Sequence, residues 1–246
     1  MSRTPRIHCP DLPPAGGSAT LAESASRHLL RVLRLGPGAE LTVFDGCGRE
    51  HAARLTGGTV RAATVAVLDA REPVPESPLT VRLLQGVGRG ERMDLVIQKA
   101  TELGVGSIVP VLSARSVVRL SGDRAARRRA HWQSVAIGAC EQCGRATLPA
   151  IIEPCGLDEA LAKLPADGPR LLPDPAAAAG LAGRPAPGPA LTLLIGPEGG
   201  LDEAEIRAAG AAGFQRVRLG PRVLRTETAA IAAIALVQGL WGDLAV

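Results

Sequence analysis

The sequence predicts an α/β protein in which a small antiparallel β-barrel precedes a larger domain built on a parallel sheet. Three observations predict it. Short alternating segments separated by glycine-containing turns fill about the first 70 residues. A proline-dense stretch, Arg71-Glu72-Pro73-Val74-Pro75-Glu76-Ser77-Pro78, then interrupts the chain as a linker. Beyond it, apolar strand-like runs alternate with helical ones, the order that yields a parallel sheet covered on both faces. The two domains are expected at 1–72 and 79–246.

In the first domain a helix-like stretch runs from Ser18 to Leu35. Strands follow at Glu40 to Phe44, at Arg49 to Leu55 and at Thr59 to Leu68. Asp45-Gly46-Cys47-Gly48 makes one turn between them and Gly57-Gly58 another. In the second domain Leu79 to Gln85 reads as a buried strand. Glu91 to Leu103 is an amphipathic helix with Met93, Val96, Ile97, Ala100 and Leu103 on its apolar face. Ser107 to Leu112 is the next strand, and a longer helix spans Asp123 to Gln142. Further strands fall at Arg170 to Leu172, Leu191 to Ile195 and Arg216 to Leu219. The Ala-, Gly- and Pro-rich stretch from Pro175 to Ala190 fits a loop or a short weak helix.

Composition excludes several classes. No run approaches the roughly 20 apolar residues of a membrane span, and the N-terminus is polar and proline-rich where a secretory leader would be apolar. A cytoplasmic protein is expected. Five cysteines are an odd count, which argues against a disulfide framework. Cys140 and Cys143 form a CxxC with no second pair at zinc-like spacing, so they read as small buried hydrophobes, and no metal is implied. The formal net charge is +4, and every basic residue except Lys99 and Lys163 is an arginine. Arginine grips phosphate in bidentate fashion and stacks on bases, so this bias is compatible with RNA without demonstrating it.

Two loops carry the chemistry. Leu191 to Ile195 runs into Gly196-Pro197-Glu198-Gly199-Gly200 and then Leu201-Asp202-Glu203-Ala204-Glu205, a strand, a glycine turn and a helix opened by a capping box. In an open α/β sheet such a loop lies where ligands bind, though taken alone it reads equally as a plain structural turn. It is neither a P-loop nor GxGxxG, and Glu198 would repel a pyrophosphate, so a nucleoside-type ligand without phosphates fits better. The second loop, Gly220 to Arg225, precedes a helix that is apolar nearly all round yet opens with Arg225, Thr226 and Glu227 together. A polar cluster at the head of a buried helix is the inconsistency expected at a functional site.

These two loops, in this order and spacing, resemble the SPOUT superfamily of RNA methyltransferases, and within it the ribosomal RNA small-subunit methyltransferase E family. The likeness is carried by the His28-Leu29-Leu30-Arg31-Val32-Leu33-Arg34-Leu35-Gly36-Pro37-Gly38 run, Phe44-Asp45-Gly46 and Gln98 to Val105. It continues through Glu141 to Arg145, Ile195 to Gly200 and Leu219 to Ala229, covering nearly the whole chain. It is weakest over Leu171 to Arg184, where the family's first cofactor loop should lie, so Pro173 and Asp174 are not among the expected contacts.

The resemblance implies a PUA-like N-terminal barrel and a catalytic domain ending in a deep trefoil knot. It also implies a homodimer and transfer of a methyl group from S-adenosylmethionine to N3 of a uridine in 16S rRNA. Donor contacts are then expected at Ile195, Gly196, Gly199, Leu219, Leu224 and Thr226, with Pro197, Glu198, Gly220, Arg225 and Thr228 from the same loops. N3 lies on the Watson–Crick edge, so the base must be unpaired or flipped. While protonated it is a poor nucleophile, so a base or a stabilising cation helps. Arg225 is expected to stabilise substrate charge, and Glu227 to orient Arg225 or act as base. Glu141 and Arg145, at i and i+4, are expected to serve catalysis and RNA binding or to form a plain surface salt bridge. Arg27, Arg31 and Arg34 recur at near-helical spacing and are expected to grip phosphates, with a solvated helix face as the other reading. Two further readings stay open: a SPOUT enzyme acting on another RNA or base atom, and a non-catalytic RNA-binding assembly factor.

Overall fold

The computed structural model describes residues 4–116 and 120–244; the first three residues of the N-terminal stretch read above lie outside them. Two compact units emerge. One comprises the chain up to Glu76 together with Ile137–Leu148, and the other comprises Ser77–Ala136 and the chain from Pro149 onward. No helix among the described residues is long and apolar enough to cross a membrane.

The first unit is a five-stranded sheet. Its strands are β1 (Arg6–His8), β2 (Ser18–Thr20), β3 (Glu40–Phe44), β4 (Glu50–Thr59) and β5 (Ala62–Arg71), in the spatial order β1-β3-β4-β5-β2. β1 runs parallel to β3, while the other pairs are antiparallel as expected. Alternation places Leu41, Val43, Val65 and Val67 in one core with Ile7 and Leu29.

Two expectations need correction here. The helical reading of Ser18 to Leu35 fails at its start, because Ser18–Thr20 pairs with β5 and so satisfies its backbone groups in the sheet. Helix α1 covers only Glu23–Arg27 and passes into a π-helical turn at His28–Val32. Arg34 then stops it in the left-handed region at φ 54°, a conformation that costs an ordinary side chain about 1 kcal/mol. Gly57 and Gly58 do not form the turn. They stay in β4 at a register shift after Leu55, and the chain reverses at Val60–Arg61. A Cβ on Gly58 would stand 2.3 Å from the Ala62 carbonyl oxygen, so glycine is needed for close approach to β5.

The second unit contains seven strands: β6 (Thr80–Gly86), β7 (Val105–Leu112), β8 (Ala150–Ile151), β9 (Cys155–Gly156), β10 (Arg170–Pro173), β11 (Ala190–Ile195) and β12 (Phe214–Val217). Their order is β12-β10-β11-β6-β7-β8, with β9 also on β7, and every pairing is parallel. The helices are α2 (Arg92–Glu102), α3 (Asp123–Cys143, whose residues from Ile137 on belong to the first unit), α4 (Leu157–Ala162), α5 (Glu203–Ala211) and α6 (Thr226–Trp241).

Adjacent apolar residues separate onto opposite faces, as a pleated strand requires. Leu83, Leu171 and Leu193 join Ile97, Trp132 and Ile234 in one core, while Leu84, Leu172 and Leu194 join Leu157, Ala209 and Phe214 in the other. Along α2, Met93, Val96, Ile97 and Ala100 are buried, matching the helical spacing. β8, β9 and α4 were not foreseen; strands of two residues are too short to show periodicity. Pro175 to Pro189 forms no helix or strand.

Candidate active site

All strands of the parallel sheet end at one edge, and the site is built there. β11 stops at Ile195, which lies opposite Gln85 of β6. The following loops then crowd together: a Cβ on Gly86 would stand 2.4 Å from the Pro197 nitrogen. Past the turn, Asp202 caps α5 as expected. Its side chain accepts from the Glu205 N–H at 2.8 Å, and its own N–H donates to the Glu205 carboxylate at 2.9 Å.

The second loop starts two residues earlier than the sequence suggested. Asp174 N–H donates to the Val217 carbonyl, but Arg218 N–H donates to Ala179, so the chain leaves the sheet at Val217 instead of Leu219. It returns at Thr226, the first residue of α6. The Thr226 hydroxyl donates to the Gly196 carbonyl at 2.5 Å and accepts from the buried Gln85 amide at 3.0 Å. Gln85 Nε2 also donates to the Gly86 carbonyl, which sets the amide's orientation, since a carbonyl can only accept. One hydroxyl thus ties both glycine loops and the end of β6 together.

Between the loops lies a cavity of about 520 Å³. Nine of the eleven residues expected to hold a donor line it: Ile195, Gly196, Pro197, Glu198, Leu219, Gly220, Leu224, Arg225 and Thr226. Two are not among its lining. Gly199 accepts from Arg115 at 3.1 Å, and Thr228 is exposed on the first turn of α6. Leu172, Pro173, Asp174 and Pro175 form the third wall, so Pro173 and Asp174, given little weight in the sequence, belong to the lining. Their signal was positional, a loop leaving the carboxyl end of a central strand. Asp174 is fixed by Arg216 at 2.5 Å and by the Ala176 N–H at 2.8 Å. Burial pushes its carboxyl up, but these two donors outweigh that and hold it below the usual carboxylate range.

Glu198 does not stand as an isolated negative charge. The Arg89 N–H and the Arg92 guanidinium each donate to it at 2.8 Å. Burial again pushes its carboxyl up, and the backbone and guanidinium donors overcome this to lower it. Arg92 lines the cavity and reaches towards Glu227 as well, 4.0 Å from its Oε1. The Glu227 side chain is only 12% exposed, and its Oε2 is buried with no hydrogen-bond partner. Arg225 is exposed at the head of α6.

Glu141 and Arg145 belong to the first unit and do not form the expected i, i+4 arrangement. α3 ends at Cys143, so Arg145 lies beyond helical geometry. It is buried and donates from Nε to both Glu76 oxygens at 3.1 and 3.2 Å, which removes it from the surface expected for an RNA contact. Glu141 accepts from the His8 N–H at 3.1 Å, and burial pushes its carboxyl up against the opposing pull of that bond, His28 and Arg6. Arg27, Arg31 and Arg34 are all exposed, Arg27 in a 2.5 Å pair with Glu23. Cys140 packs with Phe44 and Ala146, as a buried hydrophobe would.

Comparison with known proteins agrees with this geometry. A family profile for the RNA methyltransferase domain matches residues 75–238, and one for the RNA methyltransferase PUA domain matches residues 21–68. Ribosomal RNA small subunit methyltransferase E of Buchnera aphidicola subsp. Schizaphis graminum is 30% identical over 242 residues, 98% of each chain. Its namesake from Mycobacterium bovis is 32% identical over 92% of this chain and 88% of the relative. The crystal structure of the Neisseria gonorrhoeae protein of that name, bound to S-adenosyl methionine, is 44% identical with a TM-score of 0.93, over 98% of this chain and 100% of that one. A putative methyltransferase of Legionella pneumophila, solved with bound SAM, is 38% identical with a TM-score of 0.94 over the same shares. With both domain profiles in order and full-length likeness on either side, the chain belongs to the ribosomal RNA small subunit methyltransferase E family.

Proposed function

We propose that this protein methylates N3 of a uridine in 16S rRNA of the small ribosomal subunit, using S-adenosylmethionine. The observation that carries the reading is the cavity between the 172–175, 195–200 and 219–226 segments. Its size suits a nucleoside-type ligand, since such sites run from roughly 300 to 1,000 Å³. Its walls are glycine-rich and close-packed: a Cβ on Gly196 would come within 3.2 Å of the Leu201 nitrogen, so the turn folds back on itself with little room for a side chain. Ile195, Gly196, Pro197, Glu198, Leu219, Gly220, Leu224, Arg225 and Thr226 would hold the donor. When bound, that donor supplies a methyl group made electrophilic by its sulfonium.

The remaining work falls to this chain's own side chains. Glu227, next to the cavity-lining Thr226 and 4.0 Å from the cavity-lining Arg92, would accept the N3 proton and so free the lone pair for attack. Arg225 is exposed beside the cavity and stabilises the anionic uracil that results. Arg92 neutralises Glu198 and lies 4.0 Å from Glu227.

Residues 1–72 would form the PUA-like barrel domain and residues 79–246 the SPOUT domain, although Ile137–Leu148 cluster with the first unit. Arg27, Arg31 and Arg34 supply phosphate contacts. A C-terminal trefoil knot accords with the topology: from edge strand β12 the chain passes back beyond β10, ties Thr226 to Gly196 of the β11 loop and packs α6 beside α2. A homodimer accords with α6, whose Leu236 and Leu240 remain 42% and 47% exposed. Cytoplasmic location follows from a ribosomal substrate.

Calorimetric titration with S-adenosylmethionine tests donor binding, and no binding would sink the enzyme reading. Mass mapping of methylated 16S rRNA from a strain lacking the gene tests the target, and an unchanged modification pattern would refute it.

A further inference from the structure

We infer that Val223 is the surface on which the target nucleobase packs while its N3 faces the donor cavity. The inference rests on the RNA methyltransferase reading above. Val223 is 82% exposed, the most exposed large hydrophobic side chain among the described residues, yet it lines the donor cavity. It sits in the Pro221-Arg222-Val223-Leu224-Arg225 segment, whose ends are held in place. Upstream, Arg218 N–H donates to the Ala179 carbonyl at 2.8 Å; downstream, the Thr226 hydroxyl bonds Gly196. Pro221 further restricts the backbone.

An apolar side chain held on a braced loop at the cavity offers a preorganised surface to whatever enters it. A nucleobase extruded for reaction on its Watson–Crick edge needs an apolar face to rest on, a role that aromatic side chains commonly fill. This chain has none to offer at the cavity. It holds two Phe, two Trp and no Tyr; Phe44, Phe214 and Trp132 are buried, and Trp241 packs at the far end of α6. The flanking charges also suit RNA. Arg222 and Arg225 are exposed on either side of Val223 and line the same cavity, placed to meet the phosphates adjoining the base.

The test uses full-length protein and small ribosomal subunits from a strain lacking the gene, comparing wild type with Val223→Ser and Val223→Ile. The Ser variant is expected to lose about tenfold in kcat/KM for subunits, the scale of one aliphatic contact. Donor affinity should stay within about twofold of wild type, as Val223 meets the other substrate. The Ile variant should recover most of the activity. A Ser variant as active as wild type overturns the inference. So does a parallel fall in donor affinity, which would make Val223 a wall for the donor, or a change of oligomeric mass by light scattering, which would place it between copies. If wild type itself methylates nothing, the enzyme reading fails and takes this inference with it, a result distinct from an unimpaired Ser variant.

Discussion

Thr226→Val isolates the contact that joins the two glycine loops. Valine nearly matches threonine in shape, so no void opens, but the hydroxyl disappears. Two bonds are lost: the 2.5 Å donation to Gly196 and the 3.0 Å acceptance from Gln85. Gln85 Nε2 keeps its bond to the Gly86 carbonyl, so its NH2 group is not stranded. The Gly196 carbonyl has more to lose, although its partial exposure lets water replace some of the interaction. An orphaned buried acceptor costs about 1–3 kcal/mol and a lost neutral bond about 1 kcal/mol, so a net loss of about 2 kcal/mol is expected. For a chain of this size that lowers Tm by roughly 4–8 °C. Differential scanning calorimetry of the apo protein measures it, with Thr226→Ser as control. Serine keeps the hydroxyl and gives up one methyl group, about 1 kcal/mol at most. A Val variant melting with wild type, or a Ser variant as damaged as Val, would refute the reasoning.

Glu227→Gln removes the proposed proton acceptor while keeping size, and should lower the methylation rate by about 10²- to 10⁴-fold with donor binding intact; single-turnover assays showing an unchanged rate would end its role as base. Gly86→Ala forces a methyl group against the backbone of Pro197, so Tm should fall by the equivalent of about 1–3 kcal/mol and donor affinity should weaken as the cavity wall shifts. Wild-type melting and titration curves would contradict that. Glu141→Gln tests burial directly. Because burial raises the Glu141 pKa, the folded chain holds that proton to higher pH than the unfolded chain. Ionisation therefore costs stability as pH rises from the unfolded value through the folded one. The Gln variant should melt above wild type at pH 7 and converge with it as pH falls through the carboxylate range; no gain at pH 7, or a gap that widens in acid, would count against it.

Much of the catalytic unit was legible because its determinants are local. The apolar spacing of α2 follows from helical period alone, and so do the paired leucines that divide between the two faces of the sheet. The capping box of Asp202 and Glu205 needs only three residues' separation, and both of its bonds are present. Reading failed where distant partners decide. Gly57 and Gly58 look like a turn until β5 is present to be approached, and Ser18–Thr20 looks helical until it finds an edge to pair with. Arg145 reads as a surface cation until Glu76, far away in sequence, takes it up.

The candidate site shows the same division. Sequence by itself determined the parallel α/β order, the two glycine loops and the polar head of α6, since each is written in contiguous residues with a strong local preference. Only the tertiary structure decided that 172–175 completes the cavity, that Gln85 and Thr226 tie the loops, and that Glu227 keeps a buried oxygen free. Those facts depend on which strand ends meet at one edge of the sheet. That meeting is set by long-range pairing and burial, terms that no local window of residues contains.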